Sequence, residues 1–242
     1  MPTLLIKPSK LITHFYKYLI TSVLLIGLFQ VCHANILELD KTSKPSQIKK
    51  IILVDASNLF DCQKESVIGA KCIPANTFQS EKGELASFYH TTWVLGTAGI
   101  QGSEELLVFA DNDNNRDALL GLLYLAGQKK LWRWNDKKSD LQELLGQEQG
   151  QTRSIVRSKY YTAKMRDKHL VLPKELEPLM KQGWRLSAED KLSRKQTIVT
   201  DKLPLETLAR FTRLFLLKTK NQMLKILIHS PIKESITLKS SS

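Results

Sequence analysis

Two continuous apolar runs of strand length constrain this chain more than any other feature. Ile51-Ile52-Leu53-Val54 and Leu106-Leu107-Val108-Phe109-Ala110 have no polar residue at alternate positions, so a strand built from either buries both faces. Such strands belong inside a sheet covered on both sides. The punctuation around them fits. Asp55-Ala56-Ser57-Asn58 ends the first run, and a short Gly-led strand spans Ile68 to Pro74. Residues 84–95 read as a helix bounded by Gly96 and Gly99. After the second run, Asp111 to Asn115 reads as a loop, Arg116 to Ala126 as a helix stopped by Gly127, and Leu131 to Trp134 as another strand. Strands alternating with helices at these intervals predict an α/β fold with a mainly parallel sheet.

The organisation around this core is also predictable. The only formal charges in residues 1–34 are Lys7, Lys10 and Lys17, followed by an apolar run from Tyr18 to Val31 and a small residue at Ala34. This pattern reads as a cleaved signal peptide, 1–34, and places the mature chain in the periplasm or outside the cell. An uncleaved anchor from Leu11 to Val31 and a lipidated Cys32 are the alternatives. Residues 35–48 read as a polar linker, 49–146 as the first domain, 151–230 as a second module and 231–242 as a disordered Ser/Lys-rich tail.

Charge separates the two parts. Residues 35–150 hold 13 Lys/Arg against 16 Asp/Glu, and residues 151–242 hold 20 against 8, a net of +12. A module this basic is expected to meet an acidic partner. In an exported protein an anionic envelope surface or an acidic protein fits better than nucleic acid. A solvated basic face without a dedicated partner explains the same surplus. Within the module, Lys159 to Met165 reads as a strand, Lys174–Lys181 as a helix stopped at Gly183, and Thr197–Thr200 as a strand. Leu205, Leu208, Phe211, Leu214 and Phe215 mark one face of an amphipathic helix.

Three stretches, taken in order, resemble a rhodanese-like domain over about residues 48–146. Leu53-Val54-Asp55-Ala56-Ser57 is similar to that family's opening strand. Val67-Ile68-Gly69-Ala70-Lys71-Cys72-Ile73-Pro74 is similar to its His-Ile-Pro-Gly-Ala-x-x-Ile-Pro element. The strand, loop and helix from Leu107 through Arg116 to Gly127 resemble its active-site segment. The resemblance implies a parallel sheet flanked by helices, followed here by a smaller basic α/β or helical module that is either a degenerate second rhodanese-like half or a helical appendage. It also implies sulfur transfer through a cysteine thiolate, held where successive backbone N–H groups converge at a helix N-terminus.

The departures fall on that chemistry. Ser57 stands where the family usually has Arg, and Ser66 where it usually has His. Asp136-Lys137 lies near a common Gly-Gly pair. The nucleophile position falls on Asp111 or Ala110, in a degenerate loop of Asp111, Asn112, Asp113, Asn114, Asn115 and Arg116. Neither a carboxylate nor a methyl group can carry a persulfide. An Asp there is expected to accept the loop N–H groups itself. Turn and cap chemistry is the preferred reading of the Asp/Asn run, and Arg116 and Leu122 break the resemblance to a calcium loop.

The remaining candidates are few. Cys62 and Cys72 are read as two separate, half-buried thiols, with a disulfide between them as the alternative in an oxidising compartment. A sulfurtransferase using one of them is the competing activity. His90, His169 and His229 have no ligand-spaced partners, so no metal and no cofactor are expected. Trp132 and Trp134 share one strand face, where core packing is the ordinary role. The expected function is binding by a non-catalytic rhodanese-like protein, or scaffolding at the envelope through the basic module.

Overall fold

The structure is a computed structural model describing residues 36–80, 83, 85–171, 173–187, 195–200, 205–218 and 222–228. The leader, His229 and the tail after Pro231 lie outside the described residues. The described residues form one compact unit.

The first sheet takes its strands from β1 (Ile36–Leu39), β2 (Ile52–Asp55), β4 (Lys71–Cys72), β5 (Glu105–Phe109) and β6 (Lys130–Trp134). Their order is β1-β6-β5-β2-β4, and every pairing is parallel. The apolar runs become its two central strands, as their patterning requires. Leu106 and Val108 of β5 enter one core cluster, whereas Leu107 and Phe109 enter the other. Helices α1 (Pro45–Ile48), α2 (Leu59–Lys64), α3 (Phe88–Thr97), α4 (Asp113–Leu125) and α5 (Lys138–Leu145) fill the connections. A ribbon of β3 (Ser66–Val67) and β7 (Gln147–Glu148) lies apart from the sheet. Helix α3 begins later than predicted, because the Ser87 hydroxyl accepts from the His90 N–H and caps it there.

Residues 35–48 are not a linker. Ile36 and Leu39 are buried at the two ends of β1, and Ile48 is buried in α1. Only the ends of this four-residue edge strand face the core, too few to show a period through the surrounding polar residues.

The second sheet consists of β8 (Leu170–Val171), β9 (Arg185–Ser187), β10 (Lys195–Thr200) and β11 (Met223–Ile228), in the order β8-β11-β10-β9, again all parallel. Its order repeats that of β1, β6, β5 and β2. Helix α6 (Pro173–Lys181) lies between β8 and β9 as α1 lies between β1 and β2, and α7 (Leu205–Leu217) joins β10 to β11 as α4 joins β5 to β6. The repeat is pruned. Residues 188–194 alone separate β9 from β10, where residues 56–104 stand in the first half. The apolar face of α7 packs on α4, so that Val108, Leu119, Phe211, Ile198 and Ile226 share one core.

Residues 149–166 connect the halves; Gln151 makes a single parallel bridge to Lys71 of β4, but, contrary to the strand expected over Lys159 to Met165, residues 152–166 join neither sheet. Several of their donors go to helix ends instead. The N–H groups of Ser154 and Lys159 reach the carbonyls of Thr97 and Gly96 at the end of α3, and that of Arg166 reaches Leu125 at the end of α4. Carbonyls in a helix's last turn are left open by the helix ladder, and the connector caps these three, sharing that of Gly96 with the Gly99 N–H. The fit is close at Gly127. Its φ is +103°, and a β-carbon there would lie 2.1 Å from the Lys164 carbonyl oxygen.

Candidate functional site

The C-terminal ends of β2, β5 and β6 converge on a polar cluster buried beneath the β5–α4 loop. Its centre is the Asp55 carboxylate, fully buried where β2 ends. Oδ1 accepts the Ser57 backbone N–H at 2.9 Å, and Oδ2 accepts the Ser66 hydroxyl at 2.6 Å and the Lys138 ammonium at 3.0 Å. Three donors, one of them a cation, compensate a charge that burial alone would make costly. Ser57 and Ser66 thus share one partner, and the positive charge on Asp55 comes from α5 rather than from β2.

The same cluster ties down the loop. The Asp111 N–H donates to the Ser57 hydroxyl at 2.9 Å, and the Asp111 carboxylate lies 3.7 Å from the Lys138 ammonium. Ala110 continues the core-facing alternation of Leu106 and Val108 and is buried, so Asp111 is the first residue whose side chain emerges, 52% exposed. The expectation that this carboxylate would accept the loop N–H groups is corrected by the geometry. Asn112 plays that part, its side-chain oxygen accepting the Asn115 N–H at 2.8 Å as the cap of α4. Asn114 bonds outward to Arg213 of α7.

Arg116 is buried one turn into α4. Its Nε donates to Asp117 at 3.0 Å, and its Nη1 reaches the Trp134 carbonyl at 3.0 Å and Asp113 at 2.9 Å. Asp117 also accepts Arg133 Nε at 2.9 Å. An ion-pair ladder therefore runs from the loop across the end of β6. It fastens α4 to the sheet, with Asp113 as its solvent-exposed end.

The two thiols lie elsewhere. Cys62 of α2 and Cys72 of β4 are joined in a disulfide, correcting the reading of two separate thiols. Cys72 is in register with Asp55 on the far side of β2 from β5, so the sulfur atoms are separated from the loop by a strand. Gly150 of the connector covers them, its N–H bonded to the Cys62 carbonyl, and a β-carbon there would fall 2.4 Å from the Cys72 sulfur.

Lys138 and His169 were not anticipated from sequence. For Lys138 a signal existed. It occupies the first turn of α5, where the helix dipole disfavours a cation unless an anion holds it. His169 donates Nδ1–H to the Leu224 carbonyl at 3.0 Å and accepts the Tyr124 hydroxyl at Nε2 at 3.2 Å, among Phe211 and Phe215. Burial drives its pKa down to about 4, Lys168, Lys218 and Arg166 adding to the push while the bond to Leu224 opposes it. It is a neutral fastener between the halves. Trp134 is fully buried in the core with Trp132 packed alongside.

No protein-family profile and no curated relative matches the sequence. Solved structures do match. The fold is similar to that of SseA from Escherichia coli, a 3-mercaptopyruvate sulfurtransferase described as having the rhodanese fold, with TM-score 0.63 and 11% identity over 81% of this chain and 99% of that one. A 3-mercaptopyruvate sulfurtransferase from Leishmania major matches at TM-score 0.48 and 17% identity, over 60% of this chain and 45% of that one. The Rhodanese_3 like domain of Alr3790 from Anabaena sp. matches at TM-score 0.32 and 11% identity, over 44% of this chain and 99% of that domain. Parallel sheets flanked by helices define the class as α/β. Within it, this chain has a rhodanese-like fold.

Proposed function

We propose that this is an exported rhodanese-fold protein that transfers no sulfur and acts by binding in the periplasm or at the cell envelope. The observation that carries the reading is the β5–α4 loop. The side chain that emerges there is a carboxylate, and it faces the ammonium of Lys138. Sulfur transfer in this fold family needs a thiolate that both attacks and leaves, and a carboxylate does neither with sulfane sulfur. A chain cleaved after Ala34 retains only Cys62 and Cys72, and both are consumed in a covered disulfide. A buried disulfide also suits an oxidising compartment, which supports the leader's reading as an export signal. With its charges internally paired, the site is a rigid polar platform, and binding is the function left to it.

The test is thiosulfate-to-cyanide transfer by residues 35–242, with and without reductant. The expected rate equals the protein-free blank. Turnover that disappears in Cys62→Ser or Cys72→Ser would instead make the chain a sulfurtransferase with an unorthodox nucleophile.

A further inference from the structure

The connector carries a surface feature that the polar cluster does not use. Ile155 is 94% exposed and Val156 73%, two aliphatic side chains at the tip of a segment anchored at both ends. The anchors are the bonds from Ser154 to Thr97 and from Lys159 to Gly96, so the tip is held outward. Beside it, at the start of α2, Leu59 is 48% exposed and lines a shallow cleft together with Arg153 and Ile155. On the other flank the Arg157 guanidinium lies 4.5 Å above the Trp93 ring and 5.1 Å from that of Tyr160, and its Nε has no hydrogen-bond partner. An aliphatic centre is thus bordered by Arg153 and Arg157 and by amphipathic rings. Contiguous exposed apolar surface of this kind marks a place of contact.

We propose that this patch docks the protein on an anionic lipid bilayer, with Ile155, Val156 and Leu59 entering the acyl boundary and Arg153 and Arg157 meeting lipid phosphates. Its shape and charge favour a membrane over an acidic protein. The apolar side chains project from a convex tip, which a bilayer receives without a complementary pocket. An acidic peptide would satisfy the arginines and leave the aliphatic tip in water. Tryptophan and tyrosine at the margin sit where such rings settle in membrane interfaces. Residues 151–242, in which the tip lies, carry 20 Lys/Arg against 8 Asp/Glu, so the surrounding field attracts anionic headgroups. The Asp61 carboxylate, two residues after Leu59, accepts the side-chain amide of Asn58 at the cap of α2. The inference takes the compartment from the envelope-binding reading and nothing else; it is indifferent to whether sulfur is transferred.

Sedimentation of residues 35–242 with vesicles tests it. Binding is expected to vesicles of phosphatidylcholine mixed with phosphatidylglycerol, weakening with salt, and not to pure phosphatidylcholine. Replacing a buried aliphatic by a carboxylate costs about tenfold per side chain, so Ile155→Asp with Val156→Asp lowers partitioning by about two orders of magnitude, whereas Ile155→Leu preserves it. Arg153→Gln lowers it about fivefold. Both aliphatic side chains are exposed, so unchanged thermal unfolding of the variants shows that the fold persists. Absence of binding to the anionic vesicles, or binding indifferent to the aspartates, overturns the proposal. So does capture by soluble polyglutamate that needs Arg153 and ignores Ile155. The cyanide assay reads the sulfur question separately, so either result can fail alone.

Discussion

Replacing His169 by Gln removes a proton-linked weakness from the joint between the two halves. The imidazole is held neutral, its pKa lowered to about 4 chiefly by burial. In the unfolded chain the same group titrates near its ordinary value of 6.5. Above that value both states are neutral and His169 contributes nothing to the pH dependence. As pH falls from 6.5 toward 4 the unfolded chain takes up a proton that the folded protein refuses, so stability declines; below about 4 both states are protonated and the loss levels off. The full shift corresponds to about 3 kcal/mol, and with one edge of the ring open to solvent about 2 kcal/mol is expected. Gln can donate to the Leu224 carbonyl and accept from the Tyr124 hydroxyl, so the variant keeps the polar contacts without the titration. Urea unfolding of both proteins at half-unit steps of pH gives the comparison. The wild-type curve should fall below that of the variant progressively across the window, whatever the carboxylates contribute to both. Curves that stay parallel would refute the reasoning, because they would mean that the imidazole is solvated or already charged.

Three further outcomes follow from the same structure. Lys138→Met leaves the buried Asp55 charge uncompensated and should cost about 3–5 kcal/mol in urea unfolding, with most of it recovered by adding Asp55→Asn; Asp111→Ala, which removes an exposed carboxylate 3.7 Å from the ammonium, should change stability by less than about 1 kcal/mol. Breaking the disulfide by Cys62→Ser with Cys72→Ser opens a loop closed over a sequence separation of 10 and should destabilise by about 3 kcal/mol, measured against the oxidised wild type. Gly127→Ala demands a left-handed backbone and places a methyl group against the Lys164 carbonyl, so its thermal midpoint should drop while Gly83→Ala, where a β-carbon meets nothing, shows only the cost of its positive φ.

Legibility in the sequence tracked how many residues of an element face a core. The runs at Ile51 and Leu106 announced β2 and β5 because both faces of each strand are buried. The Leu205 to Phe215 periodicity announced α7 because a whole stripe packs on α4. β1, β8 and β9 escaped notice, since two to four residues cannot display a period. The connector misled for a different reason. Its residues have strand-like composition, but its hydrogen bonds cap helices, and composition does not reveal the identity of an acceptor. At the site, the Asp111–Arg116 loop was readable from the abrupt end of an apolar run and the capping residues after it. Which oxygen would accept the Asn115 N–H was not, because Asn112 and Asp111 are adjacent and equally able. Lys138 and Asp55 meet only through the order of strands in the sheet. The disulfide needed the register of β2 with β4 and the placement of α2, neither of which a spacing between cysteines contains.

Intact-mass spectrometry of residues 35–242 after incubation with thiosulfate or 3-mercaptopyruvate bears most directly on the non-catalytic reading. The mass should remain that of the chain with one disulfide, without a gained sulfur atom. A persulfide on Cys62 or Cys72, located by digestion, would contradict it.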